Sequence, residues 1–359
     1  VIQPPLVLDA HQDIAWNYTD MGRDFRQSAL RTRAREVGTE VAARQGGAMC
    51  GFPESLRGRV GLIFATLFVA PKAVPFYRKY AYTTPREAYE QAMRQLDYYT
   101  LLADEHPQIA LVRTQKELSD VLASWEEGKA IDQHKIGFVL LMEGADPIPE
   151  PRAFDEWYER GVRIVGLAWN QTRYSGGTNA PGPLTKLGEE LLQVMAGYNA
   201  ILDLSHASEM AFLQSLDKYP GQIIASHSNP RRFCNTDRHL SDDMIRRLVA
   251  RGGVIGVVPY TLFMWDRGAA PAHKSGTPMS RVVDMIDHIC QIAGSAQHVG
   301  FGTDFDGGFG VEHTPEGFDT VADLLDLVPL LAARGYSTAD IEGIFSGNFL
   351  RILRAALPT

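Results

Sequence analysis

An apolar run near the N-terminus, Leu6-Val7-Leu8, leads into Asp9-Ala10-His11-Gln12-Asp13. Side chains alternate along a strand, so His11 and Asp13 are expected to share a face. An imidazole beside a carboxylate can grip a metal ion. Four more residues of ligand or acid/base type close other apolar runs. Glu143 follows Phe138-Val139-Leu140-Leu141-Met142, and His206 follows Leu202-Asp203-Leu204-Ser205. His227 follows Ile224-Ala225-Ser226, and Asp304 follows Gly302-Thr303. A glutamate ending so apolar a strand is costly to bury unless a cation or donors offset its charge. Three histidines and three carboxylates exceed the needs of one tetrahedral zinc. They suit two metal ions about 3.5–4 Å apart with a bridging carboxylate, for which Glu143 is the natural choice. The remaining histidines, at 106, 134, 239, 273, 288, 298 and 313, fall in helices, loops or strand starts and read as structural. His239, next to Arg238, is the exception, close enough in the chain to approach the site. No Gly-x-Ser-x-Gly elbow or Walker loop is present, and Gly307-Gly308-Phe309-Gly310 reads as a turn.

The elements that must position these residues are eight short apolar runs: Leu6–Ala10, Val60–Val69, Ile136–Met142, Val162–Ala168, Ala200–Leu204, Gln222–Ala225, Gly253–Val258 and His298–Thr303. Most are bounded by glycine or a cap residue, as buried parallel strands are. Helical segments separate them: 85–105, 115–125, 154–160, 187–198, 210–216, 244–250 and 280–292. Ser208-Glu209 and Ser241-Asp242-Asp243 open two of these. Strand and helix alternating eight times predict a (β/α)8 barrel of the TIM type, with a doubly wound open sheet as the alternative. All six polar residues then lie at C-terminal strand ends, the catalytic face of a barrel. One domain is expected over 1–359. It carries a long insertion (14–59) with helical turns of its own, a Gly/Pro-rich loop after the fourth strand (174–185), and C-terminal helices over about 318–356. Tyr260 and Phe263, after the seventh strand, are candidates for the pocket wall.

Of the 359 residues, 45% are hydrophobic and 22% charged, which is ordinary globular usage. The formal net charge of −8, without a Lys/Arg cluster, argues against nucleic acid. Cys50, Cys234 and Cys290 are too few for a disulfide framework, and none forms a Cys-x-x-Cys pair. A reducing, cytoplasmic setting is the expectation, compatible with a leader removed before residue 1 because the chain begins without Met. No apolar stretch approaches the ~20 residues that cross a bilayer.

The ordered set of phrases resembles the membrane (renal) dipeptidase family of binuclear zinc peptidases. It comprises Asp9–Asp13, Met142-Glu143-Gly144, Leu202–Ser208, Ser226-His227-Ser228, Arg238 with Asp242-Asp243, and Gly300–Gly307. The resemblance runs from residue 6 to the closing Asn348-Phe349-Leu350-Arg351 segment. It implies two Zn2+ per chain: His11 and Asp13 on one, His206 and His227 on the other, Glu143 bridging. It also implies an amidohydrolase-type barrel, often dimeric, that cleaves dipeptides and tolerates a D-residue at the C-terminal position. Arg238 matches the family arginine that meets the substrate carboxylate, and Asp304 the aspartate facing the substrate amine and the nucleophilic water. One departure stands at the end of the fourth strand. Trp169 or Asn170 occupies the place of a histidine that polarises the scissile carbonyl in mammalian members; Asn170 could donate a hydrogen bond there, and Trp169 could wall the pocket. The mammalian anchoring tail and extracellular disulfides have no counterpart, so a soluble bacterial-type member is expected.

The implied mechanism is attack of a metal-bridging hydroxide on a dipeptide carbonyl, with Asp304 and Glu143 in catalytic roles and Arg238 anchoring the carboxylate. Mn2+ or Co2+ would fit the same donors. Two rivals use the same barrel. One is an amidohydrolase acting on N-acyl amino acids, lactones or cyclic amides including β-lactams. The other is a non-catalytic binding module.

Overall fold

The computed structural model describes residues 4–72, 81–266 and 268–359. Its strands are β1 (Val7–Gln12), β2 (Val60–Phe68), β3 (Ile109–Leu111), β4 (Ile136–Glu143), β5 (Val162–Gly166), β6 (Ser175–Gly177), β7 (Ala180–Leu184), β8 (Ile201–Asp203), β9 (Ile223–Ala225), β10 (Val254–Val257) and β11 (Val299–Phe301). Eight of them pair in parallel in the order β1-β2-β4-β5-β8-β9-β10-β11, and β11 returns to β1. The sheet is therefore a closed barrel with helices between strands, the (β/α)8 architecture expected from the sequence. The open-sheet alternative is excluded by the β1–β11 and β2–β4 pairings.

Period-two alternation sorts the strand residues into two layers. Leu8, Ala10, Leu62, Phe64, Val139, Leu141, Ile164, Ile201, Ile224 and Val254 form one cluster, the barrel interior. Phe349, Ile352 and Leu353 of the C-terminal helix Asn348–Ala356 join it and plug the N-terminal end. Gly300 of β11 faces that plug; a Cβ there would sit 2.7 Å from the Phe349 ring. Val7, Ile63, Ala65, Leu67, Phe138, Leu140 and Met142 belong to the other cluster, between strands and helices. Glu143, two residues past inward-facing Leu141, is thereby carried to the mouth of the barrel.

Two elements depart from the sequence expectation. Ile109-Ala110-Leu111 forms the short strand β3, which pairs with the start of β4 from Ile136 to Phe138, below the point where β5 begins at Leu140. The segment expected as a loop over 174–185 contains the antiparallel hairpin β6–β7. The insertion after β1 is helical at 14–21, 29–36, 40–45 and 52–57. It is tied to the turn after β11 by Asp306, whose carboxylate accepts from the Met49 and Cys50 amides, both at 2.9 Å. Among the described residues no helix is long and apolar enough to cross a membrane.

Candidate metal centre

Strict alternation along β1 would put neighbours Ala10 and His11 on opposite faces. A bulge changes this: β1 takes three steps from Asp9 to Gln12 while β2 takes two from Ile63 to Ala65. An extra residue re-aims the strand end, and both His11 and Asp13 turn into the barrel mouth. The His11 Nε2 atom lies 3.9 Å from Asp13, 3.4 Å from Glu143 Oε2 and 3.9 Å from Asp304. Thr66 of β2 donates to the Asp13 carboxylate. Asp9 locks the end of β1 to β11, accepting from the Thr303 amide (2.8 Å) and hydroxyl (2.6 Å). That lock sets Asp304 beside His11. Three residues at the mouth, His206, Asp304 and Asp306, have left-handed backbones with φ of 65°, 55° and 66°. Such conformations are costly for non-glycine residues and gather at functional sites.

On the other side of Glu143, its Oε1 atom lies 3.1 Å from His206 Nε2 and 3.2 Å from His227 Nε2. The two Nε2 atoms are 3.0 Å apart. Their protonation follows from the groups behind them. Ser226 gives its hydroxyl hydrogen to Asp203 (2.5 Å) and so must accept from His227 Nδ1 at 2.8 Å. Thr178 Oγ lies 3.0 Å from His206 Nδ1 and 3.4 Å from the His206 carbonyl oxygen. His227 then carries its proton on Nδ1 and points a lone pair inward, and His206 does the same when the Thr178 hydroxyl donates to the carbonyl. With both rings in that form, two lone pairs and a carboxylate oxygen converge with no hydrogen between them, an arrangement that calls for a cation. His11, fully buried, has no hydrogen-bond partner on either ring nitrogen among the described residues. Two overlapping donor groups emerge, His11–Glu143–His227 and His11–Asp13–Asp304, each with ligand atoms within 4.8 Å of one another. The donor set fits divalent metal.

Electrostatics within the cluster are polarised. Burial favours a neutral His11, but the carboxylates of Glu143, Asp13 and Asp304 outweigh it and raise the imidazole to about 10. Burial lowers His206 to about 4, helped by the Arg238 charge. Burial and the carboxylates of Asp13 and Glu143 push Asp304 well above the usual carboxylate range, against the pull of His11 and Arg238. Burial opposes ionisation of Glu143, yet the charge of His11 beside it holds it well below its ordinary value.

The cluster forms the floor of a cavity of about 550 Å3. Arg238 reaches it from the loop after β9, donating to Ser228 Oγ (3.2 Å) and to the His227 carbonyl (2.7 Å). Its buried Nε has no hydrogen-bond partner among the described residues.

Residues 1–358 match the membrane dipeptidase family, peptidase family M19. The chain belongs to that family. Its members are metallopeptidase hydrolases, and the chain is a metal-dependent hydrolase of this kind. It is 31% identical over 229 residues to an uncharacterised protein from the pqqA 5′ region of Klebsiella pneumoniae, covering 61% of this chain and 82% of that one. It is 27% identical over 289 residues to Dipeptidase 3 of Mus musculus, covering 76% of this chain; the match spans about half, 52%, of the mouse protein. A metallopeptidase from Rhodobacter sphaeroides, solved with a phosphinate mimic of the dipeptide L-Ala-D-Ala, superposes with a TM-score of 0.77 at 21% identity, covering 99% of this chain and 100% of that one.

Within this M19 barrel, the structure gathers His11, Asp13, Glu143, His206, His227 and Asp304 at one mouth and brings Arg238, Trp169 and Tyr260 to the cavity above them. Asn170 is not among the lining residues, and its Oδ1 atom accepts from the Gln171 amide at 2.7 Å. His239 is buried against the edge of Phe263, rings 4.7 Å apart, and does not line the cavity. Sequence reasoning missed Thr66, Thr178, Asp203 and Ser226, which orient the candidate ligands. Asp203 alone left a signal, as an acid inside an apolar strand.

Proposed function

We propose that this protein is a two-metal dipeptidase in which His11 and Asp13 hold one ion, His206 and His227 the other, and Glu143 spans both. The observation that carries the reading is the convergence of the His206 and His227 Nε2 atoms on one Glu143 oxygen. Zinc suits the imidazole and carboxylate donors, and Mn2+ or Co2+ would be accommodated by the same set. A bound ion pair supplies a nucleophilic water at neutral pH and polarises the scissile carbonyl. The chain's own groups do the rest. Arg238, with one hydrogen on each Nη engaged, keeps its Nε–H and a second hydrogen on each Nη to bond the substrate's terminal carboxylate. A longer peptide has no carboxylate at that distance from the metals, which favours short substrates. Asp304, beside His11, takes a proton from the attacking water and returns it to the leaving amine. The L-Ala-D-Ala mimic held by the R. sphaeroides protein supports acceptance of a D-residue at the C-terminal position.

Metal-replete protein is expected to cleave Xaa-L-Ala and Xaa-D-Ala dipeptides and to leave N-acyl amino acids and lactones largely intact. Asp304→Ala with full metal content by elemental analysis should lose on the order of 10²–10⁴-fold in kcat. Preferential cleavage of the N-acyl compounds, or wild-type turnover in the variant, contradicts the assignment.

A further inference from the structure

The insertion after β1 reaches the turn after β11 by more than the Asp306 carboxylate. Asn17, in the helix Ile14–Met21, is almost fully buried. Its Nδ2 group donates to the Asp13 carbonyl and to the Asp306 carbonyl, both at 3.0 Å. Its Oδ1 atom accepts from Arg23 Nη1 at 3.4 Å. Arg23 is buried as well. Its Nε and Nη2 atoms hold Glu36 at 3.1 and 2.8 Å, and Nη2 also donates to the Gly46 carbonyl at 2.6 Å. These neighbours fix the sense of the Asn17 amide, because a guanidinium only donates and a carbonyl only accepts. One side chain of the insertion thus joins the end of β1, which carries His11 and Asp13, to the turn that carries Asp304.

That turn needs an external hold. Asp304 and Asp306 both have left-handed backbones, which are costly for residues with a side chain. The two ends that Asn17 joins depend on it unequally. The Asp13 carbonyl also receives the Asn17 backbone N–H at 3.0 Å, and the Asp13 carboxylate receives the Thr66 hydroxyl, whatever side chain stands at position 17. The Asp306 carbonyl is met by the Asn17 side chain itself. Asp13, Asn17, Arg23 and Asp306 help to enclose a void of about 20 Å3, room for one water at most, so bulk solvent does not stand in for the amide. We propose, on the dipeptidase reading above, that Asn17 is a positioning residue for proton transfer. It holds the Asp304 turn in register with the metal ligands, so that the Asp304 carboxylate stands where the attacking water gives up its proton.

Two substitutions test this in the metal-replete enzyme acting on Leu-Ala. Asn17→Asp keeps the shape of the side chain and an oxygen towards Arg23, but sets an acceptor against two carbonyls. Asn17→Ala opens space into which a water moves and bridges them. Asn17→Asp should lower kcat at least about tenfold, the scale of a misplaced catalytic group, and Asn17→Ala should lower it severalfold. KM should stay within about threefold, because Arg238 is held from the β9 side. Metal Kd by chelator competition should also stay within about threefold, since Asp13 keeps its other two bonds. In an Asp304→Ala background either substitution should cost less than about twofold more, because the group it misplaces is gone. Equal losses in the two backgrounds overturn the positioning role. So do a greater loss in Asn17→Ala than in Asn17→Asp, a metal Kd that moves in step with kcat, and wild-type kcat in either variant. If Asn17→Asp does not fold, Asn17→Ala carries the same cycle and metal titration. Failure of both to fold makes Asn17 a residue of the fold alone and also overturns the role. A wild-type protein that cleaves no dipeptide overturns the dipeptidase reading and this proposal together, and shows it before any variant is compared.

Discussion

Ser226 has one hydroxyl hydrogen, and Asp203 takes it at 2.5 Å. The oxygen is left to receive His227 Nδ1–H, so the inward tautomer of His227 is set by a residue two groups away from any ion. Ser226→Ala removes that acceptor while keeping the backbone amides of Ser205 and Ser226 on Asp203. Metal affinity is expected to fall about 10–100-fold, read by competition with a chromogenic chelator, while turnover at saturating metal falls less. Unchanged affinity would show that the ring is oriented by packing, for instance by its stacking on His11 at 3.6 Å. At this scale the ligand types were legible in the sequence because charge at the end of an apolar run has few structural uses. Ser226 and Thr178 were not, since serine and threonine serve in any loop. What singles them out is the pairing of β8 with β9, which sets Asp203 behind Ser226, and the turn of the β6–β7 hairpin, which sets Thr178 behind His206.

Between residues and fold, short turns do the aiming. The turn after β11 presents Asp304 and Asp306 in opposite senses, Asp304 to the cavity and Asp306 back to the 48–50 segment of the insertion. Gly307 lies inside that turn. A Cβ there would come within 2.8 Å of the Asp13 carboxylate and closer still to that of Asp304. Gly307→Ala is therefore expected to displace both carboxylates without touching the core. A displacement of about 1 Å at such a site costs on the order of 10²-fold in turnover. The circular dichroism spectrum should stay wild-type while activity and metal content drop; full activity would mean the turn relaxes around the methyl group. The same scale explains what the sequence could and could not say about elements. Helix 85–105 was legible from its amphipathic length, and the structure adds a complete capping box of Thr84 and Glu87. The β6–β7 hairpin was not, because Ser-Gly-Gly and Ala-Pro-Gly-Pro carry turn residues rather than strand formers. Its pairing is supported from outside, by Ser208 bonding Gly182 and by Gln214 accepting from the Leu184 amide at 2.8 Å. Strand β3 is only partly buried along its three residues, so it lacks the continuous apolar run that marks the equally short β8, β9 and β11.

The whole barrel depends on strands whose C-terminal ends carry charge. Asp13, Glu143 and Asp304 come from three separate strand ends and meet almost without solvent; their mutual repulsion is part of why burial leaves Asp304 reluctant to ionise. Nothing comparable exists in the unfolded chain, where the six polar residues are spread from position 11 to position 304. An ion bound by the folded site alone adds RT ln(1 + [L]/Kd) to stability, about 2.7 kcal/mol when free metal is 100 times Kd. Exhaustive chelation should therefore lower the melting temperature by several degrees, and stepwise addition of Zn2+ should raise it with the logarithm of free metal. The shift should be largest in the wild-type protein and sharply reduced in Glu143→Gln, because removing the charge of the shared carboxylate weakens both half-sites at once. Loss of His11 would by contrast leave the His206–His227 half with Glu143, and part of the shift should survive. A melting temperature insensitive to chelation and to added Zn2+, Mn2+ and Co2+ would show that the convergent lone pairs are satisfied some other way, and the two-ion reading would fall with it.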